Sequence, residues 1–249
     1  MIQCMDFVRR QLCLLACSVC LGSLAAYAKE LVDPVKIIDL ARAHYGPSKL
    51  LDSVQTIYYE GELLDPKGEE IPGEFRMFLQ KPMSQRIEVQ IGDVVDIRCT
   101  NGLEGYHMRY NKRSGQKRIT VVDSGQLETM IVGALENLNF LRVTEHRRRN
   151  VWFRERVEYQ GSLCYKLRFV YNDGLYYERF IDVENGRILL TQDSNGLQIH
   201  QRGEVYANGI RFPKTLESYK DQKHLNTLKI DLALLNRKIP ETFFDFPDS

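Results

Sequence analysis

The sequence predicts a mainly β fold with α segments, in which one large, curved antiparallel sheet of about eleven strands is rolled round two helical segments. Three observations predict this fold class. Apolar and polar residues alternate over most of the stretch 73–108. Many of the alternating stretches are separated by Asn-Gly or Asp-Gly pairs, which supply the positive φ of tight hairpins. Residues 33–51 and 126–141 follow a helical period instead.

The first 28 residues have the pattern of a secretory signal peptide, which is removed from the mature protein. Arg9 and Arg10 precede an apolar run over 12–24, and Ala26-Tyr27-Ala28 offers a cleavage site. We therefore predict an exported protein with one mature domain over 29–249. An uncleaved anchor would need about 20 apolar residues to span a bilayer. A lipoprotein-type site at Cys17 would follow an apolar run that is too short.

The predicted mature chain is electrically neutral. Of 34 basic and 33 acidic residues, the signal segment contains Arg9, Arg10 and Asp6, which leaves 32 of each. A neutral chain gives no electrostatic reason to expect nucleic acid as a partner. The mature chain keeps two cysteines, Cys99 and Cys164. Export permits a disulfide between them, and two buried free thiols are the alternative.

Two stretches predict helices. The first has Asp33 as N-cap and Pro34 at the first helical position. Gly46-Pro47-Ser48 interrupts it, so we expect one helix to about Tyr45 and a second short turn over 48–51. The second stretch, 126–141, carries a broad apolar stripe. The members of this stripe are Leu127, Met130, Ile131, Ala134, Leu135, Leu138 and Leu141.

Residues 73–108 predict the strands of a meander. Its alternating apolar positions are Phe75, Met77, Leu79, Ile87, Val89, Ile91, Val95, Ile97, Cys99, Tyr106 and Met108. Because successive side chains of a strand point to opposite faces, this alternation predicts one apolar face and one charged face. Further strands are predicted over 54–63, 118–122, 151–159, 163–171, 175–182, 187–192, 199–206, 210–219 and 225–234.

The sequence offers no pattern that would carry catalysis or bind a cofactor. The five histidines are scattered without metal-ligand spacing, and the mature chain has no Cys-x-x-Cys pair. No serine lies in a Gly-x-Ser-x-Gly elbow, and no glycine-rich loop precedes a helix to bind phosphate. We therefore expect a protein that is not an enzyme, with no cofactor and no metal.

Several short motifs resemble a known family when they are taken in chain order. They are Gly73-Glu74-Phe75, Lys81-Pro82, Arg86-Ile87-Glu88, Asn101-Gly102, Gly105-Tyr106, Tyr165-Lys166-Leu167, and the stretches 182–188, 209–213 and 236–247. Together they resemble the LolA/LolB-type proteins that sort lipoproteins to the bacterial outer membrane. The resemblance covers about residues 33–247. It implies an incomplete, half-open β-barrel that is lidded by the two helical segments, and a periplasmic location.

The resemblance also implies one lid contact. LolA has an arginine directly before the turn proline, where it helps to hold the lid closed over the cavity. Lys81 stands at that position in this sequence. The resemblance therefore makes Lys81 the candidate lid contact, although a lysine donates from a flexible point charge and not from a planar fork.

We expect the apolar strand faces and the helical stripe to line a cavity. The candidate ligand-binding residues are Ile57, Tyr59, Phe75, Met77, Leu79, Ile87, Val89, Ile97, Tyr106, Met108, Met130 and Leu135. The stripe over 126–141 is wide, and two short helices are too small to cover so long a sheet. A rolled sheet of this size can enclose an apolar ligand space. The alternative is an ordinary core that is filled by its own side chains.

A basic cluster follows the second helical stretch. It consists of Arg142, His146, Arg147, Arg148 and Arg149. We take Arg147, Arg148 and Arg149 as candidates for docking to anionic lipid head groups or to an acidic partner. The alternative is a solvated turn.

The function that these observations predict is a periplasmic carrier for outer-membrane lipoproteins or other lipids, which binds acyl chains and hands them on without covalent chemistry. Its partners would be the acyl chains, an inner-membrane donor and an outer-membrane acceptor, and we expect a monomer. One alternative is an envelope sensor or protein-interaction module on the same fold, with no transported lipid. Another is an accessory factor with a filled core.

Overall fold

The chain forms one large antiparallel sheet that carries α-helices on one face. The computed structural model describes residues 32–65, 73–143 and 150–247, and Asp33–Ser249 form one compact unit. The described helices are α1 (Pro34–Tyr45), α2 (Ser48–Ser53), α3 (Ser124–Asn139) and the 3-10 helix η1 (Glu241–Phe244). The described strands are β1 (Thr56–Leu64), β2 (Gly73–Gln80), β3 (Ser84–Ile91), β4 (Val94–Thr100), β5 (Gly105–Asn111), β6 (Lys117–Val121), β7 (Val151–Tyr159), β8 (Ser162–Val170), β9 (Tyr176–Asp182), β10 (Ile188–Asp193), β11 (Gln198–Ala207), β12 (Ile210–Lys220) and β13 (Lys223–Leu235).

The fold class is as predicted. In the described part of the chain the strands form one sheet in the order β6-β5-β4-β3-β2-β1-β13-β12-β11-β10-β9-β8-β7. The edge strands β6 and β7 do not pair with each other, so the sheet is not closed into a barrel. The predicted total of about eleven strands was too low, because every predicted stretch forms a separate strand and the sheet has 13 strands among the described residues.

Strand order explains the position of α3. The chain leaves the sheet at one edge with β6 and returns to it at the opposite edge with β7. Since α3 lies between these two strands in sequence, the connection has to cross a face of the sheet. Ala134 and Leu138 of α3 are fully buried in the main core with Phe75 and Leu79. We call this helix-covered face the inner face and the opposite one the outer face.

The helix boundaries follow the predicted signals. Asp33 caps α1, its carboxylate accepting from the Val35 amide at 2.9 Å, and Pro34 takes the first helical position. The predicted break after Tyr45 and the short second helix are both confirmed. Helix α3 begins two residues earlier than predicted, because the Asp123 carboxylate accepts from the Gln126 amide at 2.8 Å and caps it.

The predicted single apolar face of the 73–108 meander is wrong. The tight turn between β3 and β4 pairs Ile91 with Val94, and hence Ile87 with Arg98. Directly opposed residues share a face, so the apolar positions of β4 lie on the face opposite to those of β3. The inner face of β4 and β5 is instead polar, and the Asp96 carboxylate lies 2.8 Å from His107 Nε2 there.

A second core covers the outer face of β4 and β5. Its buried members are Val95, Ile97, Cys99, Tyr106, Met108 and Phe244. Phe244 lies in η1, so the segment after β13 packs back over this face. Arg86 donates to the Tyr106 hydroxyl at 3.0 Å and lies over the Phe243 ring at 4.7 Å. The C-terminal segment therefore serves as the cover of the second apolar surface.

Helix α1 is docked on the turn between β9 and β10. Gly186 lies in this turn with a positive φ of 75°, and a side chain added there would approach the Leu40 carbonyl to 2.4 Å. Only glycine permits both the left-handed backbone and the close approach of the helix. Among the described residues, none of the helices has the length and apolar character to cross a membrane.

Candidate functional site

The inner face and the helices border a partly open cavity of about 290 Å³. Helices α1 and α3 and the residues after α3 form its roof, which contributes Tyr45, Gly133, Glu136, Asn137, Phe140 and Leu141. Strands β1, β2, β12 and β13 form an apolar floor with Tyr59, Phe75, Met77, Phe212, Pro213, Leu216, Leu228 and Ile230. A mostly apolar, concave space with a few polar groups is typical of ligand sites.

The opposite wall of the cavity is more polar. Strands β9, β10 and β11 contribute Tyr177, Arg179, Thr191 and Gln201 to it, together with Ile188 and Ile199. Burial raises the pKa of Tyr45 and of Tyr177, so both hydroxyls remain protonated at neutral pH. The cavity therefore has one wall rich in hydrogen-bonding groups, while its floor is mainly apolar apart from the Tyr59 hydroxyl and Ser218 of β12.

A row of aromatic rings joins the roof to the floor. The ring centroids of Tyr45 and Phe140 lie 5.8 Å apart, those of Phe140 and Phe212 lie 6.0 Å apart, and those of Phe212 and Tyr59 lie 5.4 Å apart. Tilted and edge-on contacts at these distances are favourable for aromatic pairs. The row packs the roof against the floor at one end of the cavity.

Arg42 holds the C-terminal end of α3 in place. The α3 chain ends with Phe140 in a left-handed conformation, at φ 45°. Arg42 of α1 donates through Nη1 to the Asn139 carbonyl at 3.0 Å and to the Phe140 carbonyl at 2.8 Å, and through Nη2 to Asp52 at 2.8 Å. The last carbonyls of a helix lack partners within the helix and carry partial negative charge. The Arg42 guanidinium therefore supplies the hydrogen-bond donors that the last carbonyls of the roof helix lack.

A buried ion pair ties α3 to the polar wall. Arg179 Nη1 of β9 lies 2.5 Å from Glu136 Oε2 of α3, and the two side chains are only 8% and 7% exposed. The Arg179 guanidinium also lies 4.8 Å above the centre of the Phe169 ring. Both charges line the cavity.

Lys81 contacts α2, the short helix at the end of the first predicted lid segment. Its ammonium donates to the Asp52 main-chain carbonyl in α2 at 3.3 Å. Burial lowers the pKa of Lys81, and the nearby Asp52 opposes that shift. The contact with the end of α3 is made by Arg42, which shares Asp52 as a partner.

The predicted ligand-binding residues fall into three groups. Tyr59, Phe75 and Met77 line the cavity. Ile57 and Leu79 are buried in the core beneath it, Val89 packs against that core, and Met130, Leu135 and Ile87 are half-buried outside the lining. Ile97, Tyr106 and Met108 lie in the second core on the outer face, so they do not reach the cavity.

The remaining site predictions have mixed outcomes. Arg147, Arg148 and Arg149 lie outside the described residues. Cys99 and Cys164 are both buried free thiols, and burial raises the pKa of each to about 11, so both stay protonated. Within 32–65, 73–143 and 150–247, no group of three or more His, Cys, Asp or Glu side chains is arranged to hold a metal ion.

Arg42, Glu136 and Arg179 were missed at the level of sequence. Arg42 and Glu136 lie in predicted helices, where charged residues are expected on the solvent-exposed face. Arg179 follows Glu178 in a predicted strand, and two adjacent charged residues gave no indication of a buried site. One signal was present for Arg179, since Tyr177, Arg179 and Ile181 alternate with Glu178 and Phe180 and lie on one face. That pattern places Arg179 on the same face as a core isoleucine.

Comparison with known proteins supports the fold. No protein-family model and no curated protein sequence matches this chain. Among solved structures, a DUF1329 family protein from Desulfovibrio piger is 11% identical with a TM-score of 0.54, over 86% of this chain and 98% of that one. A LolA superfamily protein from Nitrosomonas europaea gives the same identity, TM-score and coverage. The chain therefore has a LolA-like fold, which confirms the resemblance seen in the sequence at the level of fold.

Proposed function

We propose that this protein is a non-catalytic carrier that binds an acyl chain in the cavity between the inner face and α3, and hands it on in the periplasm. The observation that carries the proposal is the mostly apolar cavity of about 290 Å³ under the roof helices. Each methylene that leaves water for such a space contributes about 0.8 kcal/mol. The acyl chains of outer-membrane lipoproteins, or of other lipids, are the cargo that this chemistry suits.

Release requires that the roof opens. The roof is held by separable contacts, namely the Arg42 bonds to the end of α3 and the Arg179–Glu136 pair. A partner that competes for the Arg42 bonds would shift the protein towards an open form with lower affinity for the chain. Export by the signal segment and delivery from an inner-membrane donor to an outer-membrane acceptor complete the proposal.

The proposal is tested by filling the cavity. Leu216→Trp places an indole in the space that the acyl chain would occupy, and we expect the affinity for a fluorescent fatty-acyl probe to fall by about tenfold or more. Leu232→Trp is the matched control, because Leu232 is 41% exposed on the same sheet. Equal binding by both variants and by the unmodified protein would exclude the cavity as the acyl site.

A protein-interaction module is the second candidate, and one observation favours it. Trp152 is 55% exposed on the edge strand β7. An open edge offers unpaired main-chain groups to another strand, and an exposed tryptophan is a common anchor at interfaces. Trp152→Ala would abolish partner binding in that case and leave the affinity for acyl probes unchanged.

A further inference from the structure

The Arg179–Glu136 pair is unusual for a cavity that holds an acyl chain. Both side chains are more than nine-tenths buried, and their charged atoms lie 2.5 Å apart in the cavity wall. Burying two charges costs several kcal/mol per ion unless further hydrogen bonds complete the pair. Apolar residues of the same volume would close the wall at no such cost. The cost of burying this pair therefore makes it a candidate for a functional role.

The Arg179 guanidinium has capacity to bind another anion. Within the described part of the chain, Arg179 Nη1 has no aligned hydrogen-bond acceptor, so its contact with Glu136 is one of charge and not of in-line hydrogen bonding. The rings of Phe169 and Tyr177 lie 4.8 Å and 5.9 Å from the guanidinium carbon. These rings hold the cation in place by cation–π contact whichever anion faces it. A planar guanidinium binds carboxylate or phosphate oxygens best through two parallel hydrogen bonds.

The surroundings of Arg179 match the polar end of an amphiphile. Tyr177, Thr191 and Gln201 lie on the same wall, and Tyr45 faces them from the roof. The floor is mainly apolar, with Phe75, Met77, Leu228 and Ile230 among its residues. The cavity volume of about 290 Å³ lies just below the roughly 300–1,000 Å³ range of ligand sites. This space suits one acyl chain rather than several.

We propose that Arg179 binds the anionic head group of a single-chain amphiphile, and that this head group takes the place of Glu136. The inference rests on the proposed function and adds the class of ligand to it. A carboxylate and a phosphate monoester share the required chemistry. Because Glu136 belongs to α3, the exchange replaces its charge contact with β9 by a contact between the head group and β9, while the Arg42 bonds still hold the roof.

The test compares probes that share a twelve-carbon chain and differ in head group. Laurate and dodecyl phosphate are anionic, 1-dodecanol is neutral and dodecylamine is cationic. Each is titrated against a fluorescent acyl probe bound to protein produced from the full-length chain. We expect laurate or dodecyl phosphate to bind at least about tenfold more tightly than 1-dodecanol. The tighter of the two anions identifies the head group.

Two variants separate a binding role from a structural one. Glu136→Gln removes the competing carboxylate, and we expect it to raise the ratio of the laurate affinity to the 1-dodecanol affinity by about tenfold. Arg179→Gln in the Glu136→Gln background removes both charges and leaves no unpaired ion. We expect this double variant to bind laurate and 1-dodecanol equally. Its folding is checked by thermal unfolding followed by circular dichroism.

The outcomes distinguish this inference from the proposed function. If 1-dodecanol competes as well as laurate in every protein, the acyl site stands and the head-group role of Arg179 is wrong. Tightest binding of dodecylamine would assign the charged site to Glu136 and also overturn the inference. If none of the four probes displaces the fluorescent probe, or the probe itself does not bind, the proposed function fails with it.

Discussion

Arg42 connects three segments of the roof through its hydrogen bonds. Its guanidinium joins α1 to two main-chain carbonyls at the end of α3 and to Asp52 in α2, and its side chain is 9% exposed. Hydrogen bonds from a charged donor contribute more than neutral ones, and unsatisfied buried carbonyls are costly. The contact therefore links the stability of the fold to the position of the roof.

Replacing Arg42 with methionine keeps most of the volume of the side chain and removes all three bonds. We expect the free energy of unfolding to fall by about 2–3 kcal/mol, and amide exchange in α3 to become faster. Denaturant unfolding and hydrogen exchange measure the two effects. Arg142→Met is the matched control, because Arg142 is 56% exposed and lies 3.8 Å from Asp52.

A change of about 0.5 kcal/mol or less is expected for Arg142→Met, as for most exposed ion pairs. Equal losses in the two variants would show that the buried bonds to α3 do not hold the roof.

The role of Arg42 was not predictable from the sequence, since its partners are main-chain groups and Asn139 lies 97 residues further along the chain. Side-chain patterns carry no information about such carbonyl acceptors.

At the scale of elements, the alternation of apolar and polar residues predicted where the strands lie. It did not predict which face of the sheet carries the apolar residues of each strand. Each strand of the 73–108 meander formed as expected. The apolar residues of β3 and β4 nevertheless face opposite ways, because the tight turn after Ile91 pairs odd-numbered with even-numbered positions. Turn length was readable in the sequence, so combining it with the alternation would have predicted two apolar surfaces.

The C-terminal segment covers the second of those surfaces. Phe244 is 3% exposed beneath β4 and β5. We expect Phe244→Ala to lower the free energy of unfolding by about 3–5 kcal/mol, while the folded protein keeps its affinity for acyl probes. Chemical unfolding and probe titration measure the two quantities. Phe246→Ala, at a residue that is 36% exposed, should cost much less.

A simultaneous loss of probe affinity in folded Phe244→Ala protein would show that the outer and inner faces are not independent. Independence is expected because Phe244 packs against the outer face only. The covering role of this segment was not predicted. In the sequence its phenylalanines were interpreted only as part of the C-terminal motif that resembles the LolA/LolB-type family, and their contacts lie more than a hundred residues earlier.

The surroundings of His200, in a row of rings on the outer face, predict a stability that depends on pH. Tyr159 Oη contacts His200 Nδ1, and the His200 and Tyr219 ring centroids lie 4.7 Å apart. Burial lowers the pKa of His200 below 6.5, with Glu217 opposing the shift and Arg202 adding to it. The unfolded chain therefore takes up the proton first, so stability is full above pH 6.5 and is lost as the pH falls from there towards the folded pKa.

We expect His200→Gln to reduce this loss of stability between pH 7.5 and pH 5. Denaturant unfolding at both pH values gives the difference, and the slope that remains is assigned in part to His44, whose pKa is also lowered by burial. An unchanged pH dependence in His200→Gln would show that His200 does not titrate in the folded protein as its burial implies.

At the scale of the whole molecule, the strand order builds the cavity. Because β6 and β7 lie at opposite edges, α3 crosses the inner face and becomes a roof. Local periodicity predicted the sheet, the helices and three of the lining residues, Tyr59, Phe75 and Met77. It did not predict the polar wall, because no local sequence pattern shows which strands from distant parts of the chain become neighbours in the sheet.

The central claim is that the space under α3 holds an acyl chain. The most direct measurement is lipid extraction and mass spectrometry of the protein after purification without detergent, beside the Leu216→Trp variant. We expect close to one single-chain acyl species per molecule of unmodified protein, and little or none in the folded variant. An unmodified protein that is folded and free of acyl species, and that binds none when they are supplied, would contradict the claim.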